Sequence, residues 1–83
     1  LMTNLSAARY QERAVDAQAI QTLGLPPDAL AEGCCLTVAD EFDWVLFYPA
    51  HNLAMWCGPD GLTSFYADSL ADALRRVLTG EMD

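Results

Sequence analysis

Two segments in the second half of the chain are apolar at consecutive positions rather than at alternate ones. They are residues 44–48 and 53–57. A strand that exposes one face to water normally alternates apolar and polar side chains. Because neither segment alternates, the pattern predicts a sheet that is buried on both of its faces.

Short connections between the apolar segments predict an antiparallel meander. A parallel crossover needs a dozen or more residues, and none of these connections is that long. Gly58-Pro59-Asp60-Gly61 is the strongest turn signal, since proline presets φ and glycine accepts positive φ. Four strands are predicted, at residues 34–39, 44–48, 53–57 and 62–66.

The last helix is predicted at residues 69–79. Ser69 followed by Asp72 fits a capping box, and Gly80 is a natural end. An apolar stripe at helical spacing predicts that this helix packs on the sheet. The stripe consists of Leu70, Ala73, Leu74, Val77 and Leu78.

A first helix is predicted at residues 5–23, capped by Thr3 or Asn4 and ended by Gly24. It is poorly amphipathic, because Glu12 and Asp16 fall within its apolar stripe. Residues 24–33 form a connector with one predicted helical turn.

These elements predict a single α+β domain over residues 1–83. It has an N-terminal helix, a short helical turn, a four-stranded antiparallel meander and a C-terminal amphipathic helix packed on the sheet. Only that last helix is strongly amphipathic. The second face of the sheet must therefore be covered by the weaker N-terminal helix or by another protein.

Charge restricts the classes of partner. The 83 residues contain twelve carboxylates and four arginines, a formal net charge of −8. Such a chain repels nucleic-acid phosphates and anionic membrane surfaces, so neither is an expected partner. No segment reaches the ~20 apolar residues of a membrane span. Three cysteines form no even disulfide framework, and we expect reduced thiols and a cytoplasmic location.

Candidate catalytic chemistry is sparse. His51 is the only histidine, and a strand of roughly 17–20 Å separates it from Cys57 at about 3.3 Å per residue. A cysteine nucleophile needs a base within hydrogen-bonding distance, so the spacing disfavours a dyad. Adjacent Cys34 and Cys35 point to opposite faces of a strand, which disfavours a shared metal. We expect no enzyme, cofactor or metal; a small enzyme using His51 and a cysteine is an unfavoured alternative.

Aromatic and acidic residues are the remaining candidates for a site. Tryptophan and tyrosine are enriched at binding hot spots, and an acidic surface attracts a basic one. The candidate partner-binding residues are Trp44, Tyr48, Trp56, Asp40, Glu41 and Asp43.

The leading hypothesis is a small acidic protein–protein interaction module that binds a basic protein surface as an inhibitor or adaptor. Inhibitors of host defence encoded by phages and mobile elements, such as anti-CRISPR proteins, are of this size and charge. The alternative is a homodimer that acts as a secretion-chaperone-like or regulatory subunit.

Overall fold

Among the residues that the structure describes, five strands form one antiparallel sheet, in which each strand pairs with the next along the chain. This computed structural model describes residues 7–38 and 43–82. The chain order of β2 to β5 confirms the predicted meander, and the α+β class is confirmed with it. The strands are β1 (Gln11–Arg13), β2 (Cys35–Val38), β3 (Trp44–Tyr48), β4 (Leu53–Gly58) and β5 (Gly61–Tyr66).

The described part of the chain also contains three α-helices, together with 3-10 turns at Ala7–Arg9 and Pro49–His51. They are α1 (Ala17–Leu23), α2 (Asp28–Ala31) and α3 (Leu70–Thr79). Ser69 Oγ accepts a 3.0 Å hydrogen bond from the backbone N–H of Asp72, and Gly80 ends α3 with a φ of 77°. The predicted cap and end of the last helix are therefore confirmed.

One face of the sheet packs against α3. Val45 and Phe47 of β3 and Phe65 of β5 contribute buried side chains. Ala73 and Val77 of α3 are buried against them. The apolar stripe of the last helix therefore covers the sheet, as its spacing predicts.

The opposite face packs against α1 and α2. Trp44, Leu46 and Tyr48 are buried there, and Ala19 of α1 and Ala29 of α2 belong to the same cluster. Of the two alternatives for the second face, cover by the N-terminal helical region is the one observed. Both faces of β3 are therefore buried by helices of the same chain.

Cover on the α1–α2 face decreases toward β5. Leu53 and Met55 of β4 are only half-buried. On β5, the next strand, 59% of Leu62 and 76% of Tyr66 is exposed. The helices therefore leave part of the sheet uncovered, but only at the β5 edge of the α1–α2 face.

The predicted helix over residues 5–23 is wrong in its first part. Residues 11–13 form β1, which pairs with β2, and α1 begins only at Ala17. Asp16 is the N-cap of α1 and accepts a 2.8 Å hydrogen bond from the backbone N–H of Ala19. A longer helix would bury charged side chains in its stripe, whereas pairing with β2 satisfies backbone groups that would otherwise be open.

Other predicted boundaries hold to within a residue or so. Gly24 ends α1 with a φ of 72°, and α2 is the helical turn expected in the connector. Ala39, at the end of the predicted strand 34–39, lies outside the described residues, as do residues 5 and 6 of the predicted first helix. Within the described part of the chain, no helix is long and apolar enough to cross a bilayer.

Candidate functional site

Asp43 is the acceptor in a hydrogen-bond network inside the fold. Its Oδ1 accepts from Trp56 Nε1 at 2.6 Å and from the Tyr10 hydroxyl at 3.1 Å. Asp43 and Tyr10 are both buried. The carboxylate therefore joins the N-terminal segment to β4, on the side of the sheet that α3 covers.

Two further aromatic candidates link the sheet to the opposite layer. Trp44 Nε1 donates a 3.2 Å hydrogen bond to the carbonyl oxygen of Leu23, at the end of α1. The Tyr48 hydroxyl donates a 2.8 Å hydrogen bond to Asp28 Oδ1, at the start of α2. Only 2% of Trp44 and 6% of Tyr48 is exposed.

The four described candidates thus lie within the protein or at its margin, and each uses its polar atom internally. Trp56 is the one that remains half-exposed. Asp40 and Glu41 lie outside the described residues. Partner contact by these residues stays a prediction, and the exposed charged surface of the protein lies elsewhere.

The distribution of charge along the chain points to such a surface. No arginine or lysine occurs between Arg13 and Arg75. Of the twelve carboxylates, only Glu12, Glu81 and Asp83 lie outside that interval, which leaves nine within it. Most of the fold between the first strand and the last helix therefore carries negative charge alone.

The two arginines of α3 are already paired with carboxylates. Arg75 contacts Asp72 at 3.0 Å and Glu81 at 2.7 Å, and Arg76 contacts Asp72 at 3.0 Å. The backbone N–H of Asp68 and these two guanidinium groups lower the pKa of Asp72 to about 2. The positive charge of α3 is therefore compensated locally.

Three carboxylates gather at the end of the sheet where β3 meets β4. Asp28 binds Tyr48, Glu32 Oε1 lies 3.2 Å from His51 Nε2, and Asp68 lies 3.5 Å from Asn52 Nδ2. His51 and Asn52 belong to the β3–β4 connection, so these contacts place the carboxylates around it. Asp28, Glu32 and Asp68 are called the acidic end below.

An exposed apolar side chain lies on the helix that carries two residues of the acidic end. Leu30 of α2 stands between Asp28 and Glu32 in the sequence, and 51% of it is exposed. Because residues two positions apart do not share a face of a helix, its side chain points to another side of α2 than these two carboxylates. Neither Leu30 nor the acidic end was singled out by the sequence, although the absence of cations between residues 13 and 75 is readable from it.

The cysteines and the histidine lie in different surroundings, and His51 contacts a carboxylate. Burial, with added repulsion from Asp28 and Glu32, raises the pKa of Cys34 to about 11, which keeps the thiol protonated near neutral pH. Cys57 pairs across the sheet with Trp44, at the opposite end of β4 from His51. Among the described residues, no group of three or more histidine, cysteine or acidic side chains could hold a metal ion.

A shallow pocket of about 290 Å³ lies between β1 and β2. It is slightly below the ~300–1,000 Å³ typical of small-molecule sites. Its lining residues are Glu12, Arg13, Ala14, Cys34, Cys35 and Leu36. Glu12 and Arg13 contribute one charge of each sign to this lining.

Comparison with known proteins returned no significant match to a family model, to a curated protein or to a solved structure.

Proposed function

We propose that this chain is an acidic protein–protein interaction module that binds a basic protein surface through the acidic end, as an inhibitor or adaptor. The observation that carries the proposal is the acidic end itself, three carboxylates around the β3–β4 connection in a stretch of chain without arginine or lysine. Leu30 adds an exposed apolar side chain on another side of α2.

Electrostatics supports a basic partner in particular. Complementary charge speeds the encounter of two proteins and disfavours partners of like charge. The imidazole of His51, which can become cationic, is already in contact with Glu32. Arg75 and Arg76, near Asp68, are already held by Asp72. A partner that supplies arginines or lysines would therefore meet little competition from within the chain.

The residues best suited to catalysis support the same proposal. Cys34 holds its proton, and the imidazole of His51 contacts a carboxylate instead of a thiol. A protein that acts by binding and blocking a partner's surface needs no catalytic group. The three free cysteines fit a reducing compartment, and we place the protein in the cytoplasm on that ground.

The test begins with affinity capture by the full chain and identification of the partner, followed by titration of the purified partner. The variant Glu32→Lys/Asp68→Lys reverses two exposed charges of the acidic end. We expect its affinity to fall at least ~30-fold, since close charge pairs across an interface contribute more than about 1.5 kcal/mol each in favourable cases.

The matched control is Glu12→Lys/Asp60→Lys, which makes the same change of charge at exposed positions outside the acidic end. We expect it to weaken binding only a fewfold, through the loss of long-range attraction. Higher salt should weaken binding of the unmodified chain. A partner without a basic surface, or equal losses in the two variants, would contradict the proposal.

A further inference from the structure

β5 is an edge strand, and its outer backbone groups have no described partner in the sheet. The backbone N–H of Ala67 donates to the carbonyl oxygen of Asn52, on the β4 side. Along an antiparallel strand, the backbone N–H and C=O groups of successive residues point alternately to the two neighbouring sides. Those of the odd-numbered residues of β5 therefore point toward β4. The backbone groups of Leu62, Ser64 and Tyr66 therefore point outward.

This edge lacks the features that usually prevent strands from associating. Natural edge strands carry lysine, proline or inward-pointing charge, or they are very short. β5 has six residues, and neither it nor β4 contains a charged residue. The side chains of Leu62 and Tyr66, two of the most exposed large apolar residues described, lie on the same side of this strand.

We propose that β5 pairs antiparallel with β5 of a second copy, about a two-fold axis at Ser64. In this register Leu62 of each copy lies opposite Tyr66 of the other copy. The dimer therefore contains two Leu62–Tyr66 contacts, which cover all four exposed side chains. The outward backbone groups of Leu62, Ser64 and Tyr66 then face one another and make about six hydrogen bonds. The two sheets become one continuous sheet.

Charge favours a second copy over a basic partner at this particular edge. A basic protein gains no electrostatic attraction from an uncharged strand, whereas two copies of an acidic chain repel each other least where charge is low. The strand is also self-complementary, because its two large apolar side chains are equally distant from Ser64. An isologous contact requires that symmetry.

The same register brings Asp60 of one copy near Asp68 of the other. Both carboxylates are exposed, and each follows or precedes β5 directly. Their repulsion weakens the dimer at low salt and is screened at high salt. Salt should therefore strengthen self-association, which is opposite to its effect on binding of a basic partner.

The dimer is expected to be weak. A pair of edge strands with two apolar contacts buries less than the roughly 1,200 Å² that marks stable interfaces, so we expect a Kd of roughly 10–500 μM. Sedimentation equilibrium of the full chain alone, from about 10 μM to 1 mM, measures it. Asp60→Asn should lower the Kd, and so should an increase of salt from ~50 to ~500 mM.

Ser64→Lys places two like charges at the two-fold axis and should raise the Kd at least ~10-fold. Gln18→Lys makes the same charge change on the exposed side of α1 and should not raise it. If Ser64→Lys unfolds the chain, Leu62→Ser serves instead, with Leu30→Ser as its control on α2.

A chain that stays monomeric to about 1 mM at both salt concentrations would overturn the inference. So would a dimer that Ser64→Lys leaves intact, or one that Leu30→Ser weakens as much as Leu62→Ser. None of these measurements contains a partner protein. Failure of the dimer therefore leaves the proposed binding at the acidic end standing, and the reverse also holds.

Discussion

Trp56 Nε1 donates a 2.6 Å hydrogen bond to Asp43 Oδ1, which ties β4 to the residue just before β3. The same oxygen accepts from the hydroxyl of Tyr10. Two donors from distant parts of the chain thus depend on one carboxylate. This arrangement holds the segment that leads into β1 against the rest of the sheet.

Asp43→Ala is expected to lower the free energy of unfolding by about 2–4 kcal/mol, because it leaves two donors without an acceptor in a largely buried site. Urea denaturation measures the loss. Asp60→Ala removes an exposed carboxylate of the β4–β5 turn and should change stability by no more than about 0.5 kcal/mol. Equal effects of the two substitutions would show that the network contributes no stability.

Stability should fall at alkaline pH through Tyr10. Burial, followed by the negative charge of Asp43, raises the pKa of Tyr10 from 10.0 to about 12. Between these values the unfolded chain releases the phenolic proton while the folded chain keeps it, so rising pH favours unfolding. The contribution is fully present below pH 10 and is lost as pH approaches 12.

Tyr10→Phe should therefore reduce the slope of unfolding free energy against pH between 10 and 12. Burial and the hydrogen bond to Asp28 also raise the pKa of Tyr48, so some slope remains in the variant. Denaturation at several alkaline pH values makes the comparison. Identical slopes for the two proteins would exclude a contribution from Tyr10.

The two tryptophans should differ in fluorescence. Trp44 is 2% exposed, whereas Trp56 is only half-buried. Single-tryptophan chains made by Trp56→Phe and Trp44→Phe report each ring separately. We expect acrylamide to quench Trp44 less than Trp56, and Trp44 to emit at shorter wavelength. Stronger quenching of Trp44 would contradict its position beneath α1.

Gly58 is needed because the indole of Trp56 lies over it. A Cβ atom at this position would stand 2.5 Å from Trp56 Cζ2, so the ring must move. We expect Gly58→Ala to cost about 1–3 kcal/mol of unfolding free energy, as overpacking typically does. The cost should shrink in a Trp56→Phe background, where the smaller ring lacks the clashing atoms. An unchanged cost would indicate a backbone effect instead.

The sequence did not single out the acidic end, and the aromatic residues show how far it could predict their surroundings. Apolar runs in β3 correctly indicated burial on both faces, and Trp44 and Tyr48 lie on one face as expected. A run of apolar residues cannot tell whether a helix of the same chain or another protein provides the cover. That depends on whether α1 and α2 reach the sheet, which is a property of the packed chain.

Sequence alone determined the meander, the turn at Gly58–Gly61 and the last helix, because each depends on signals between near neighbours: periodicity, capping and turn residues. Only the tertiary structure decided that residues 11–13 form a strand. A strand of three residues is too short for an alternating pattern to be recognised in the sequence. Its pairing with β2 is also a contact between residues more than twenty positions apart. The acidic end likewise exists only because folding brings Asp28, Glu32 and Asp68 to one end of the sheet.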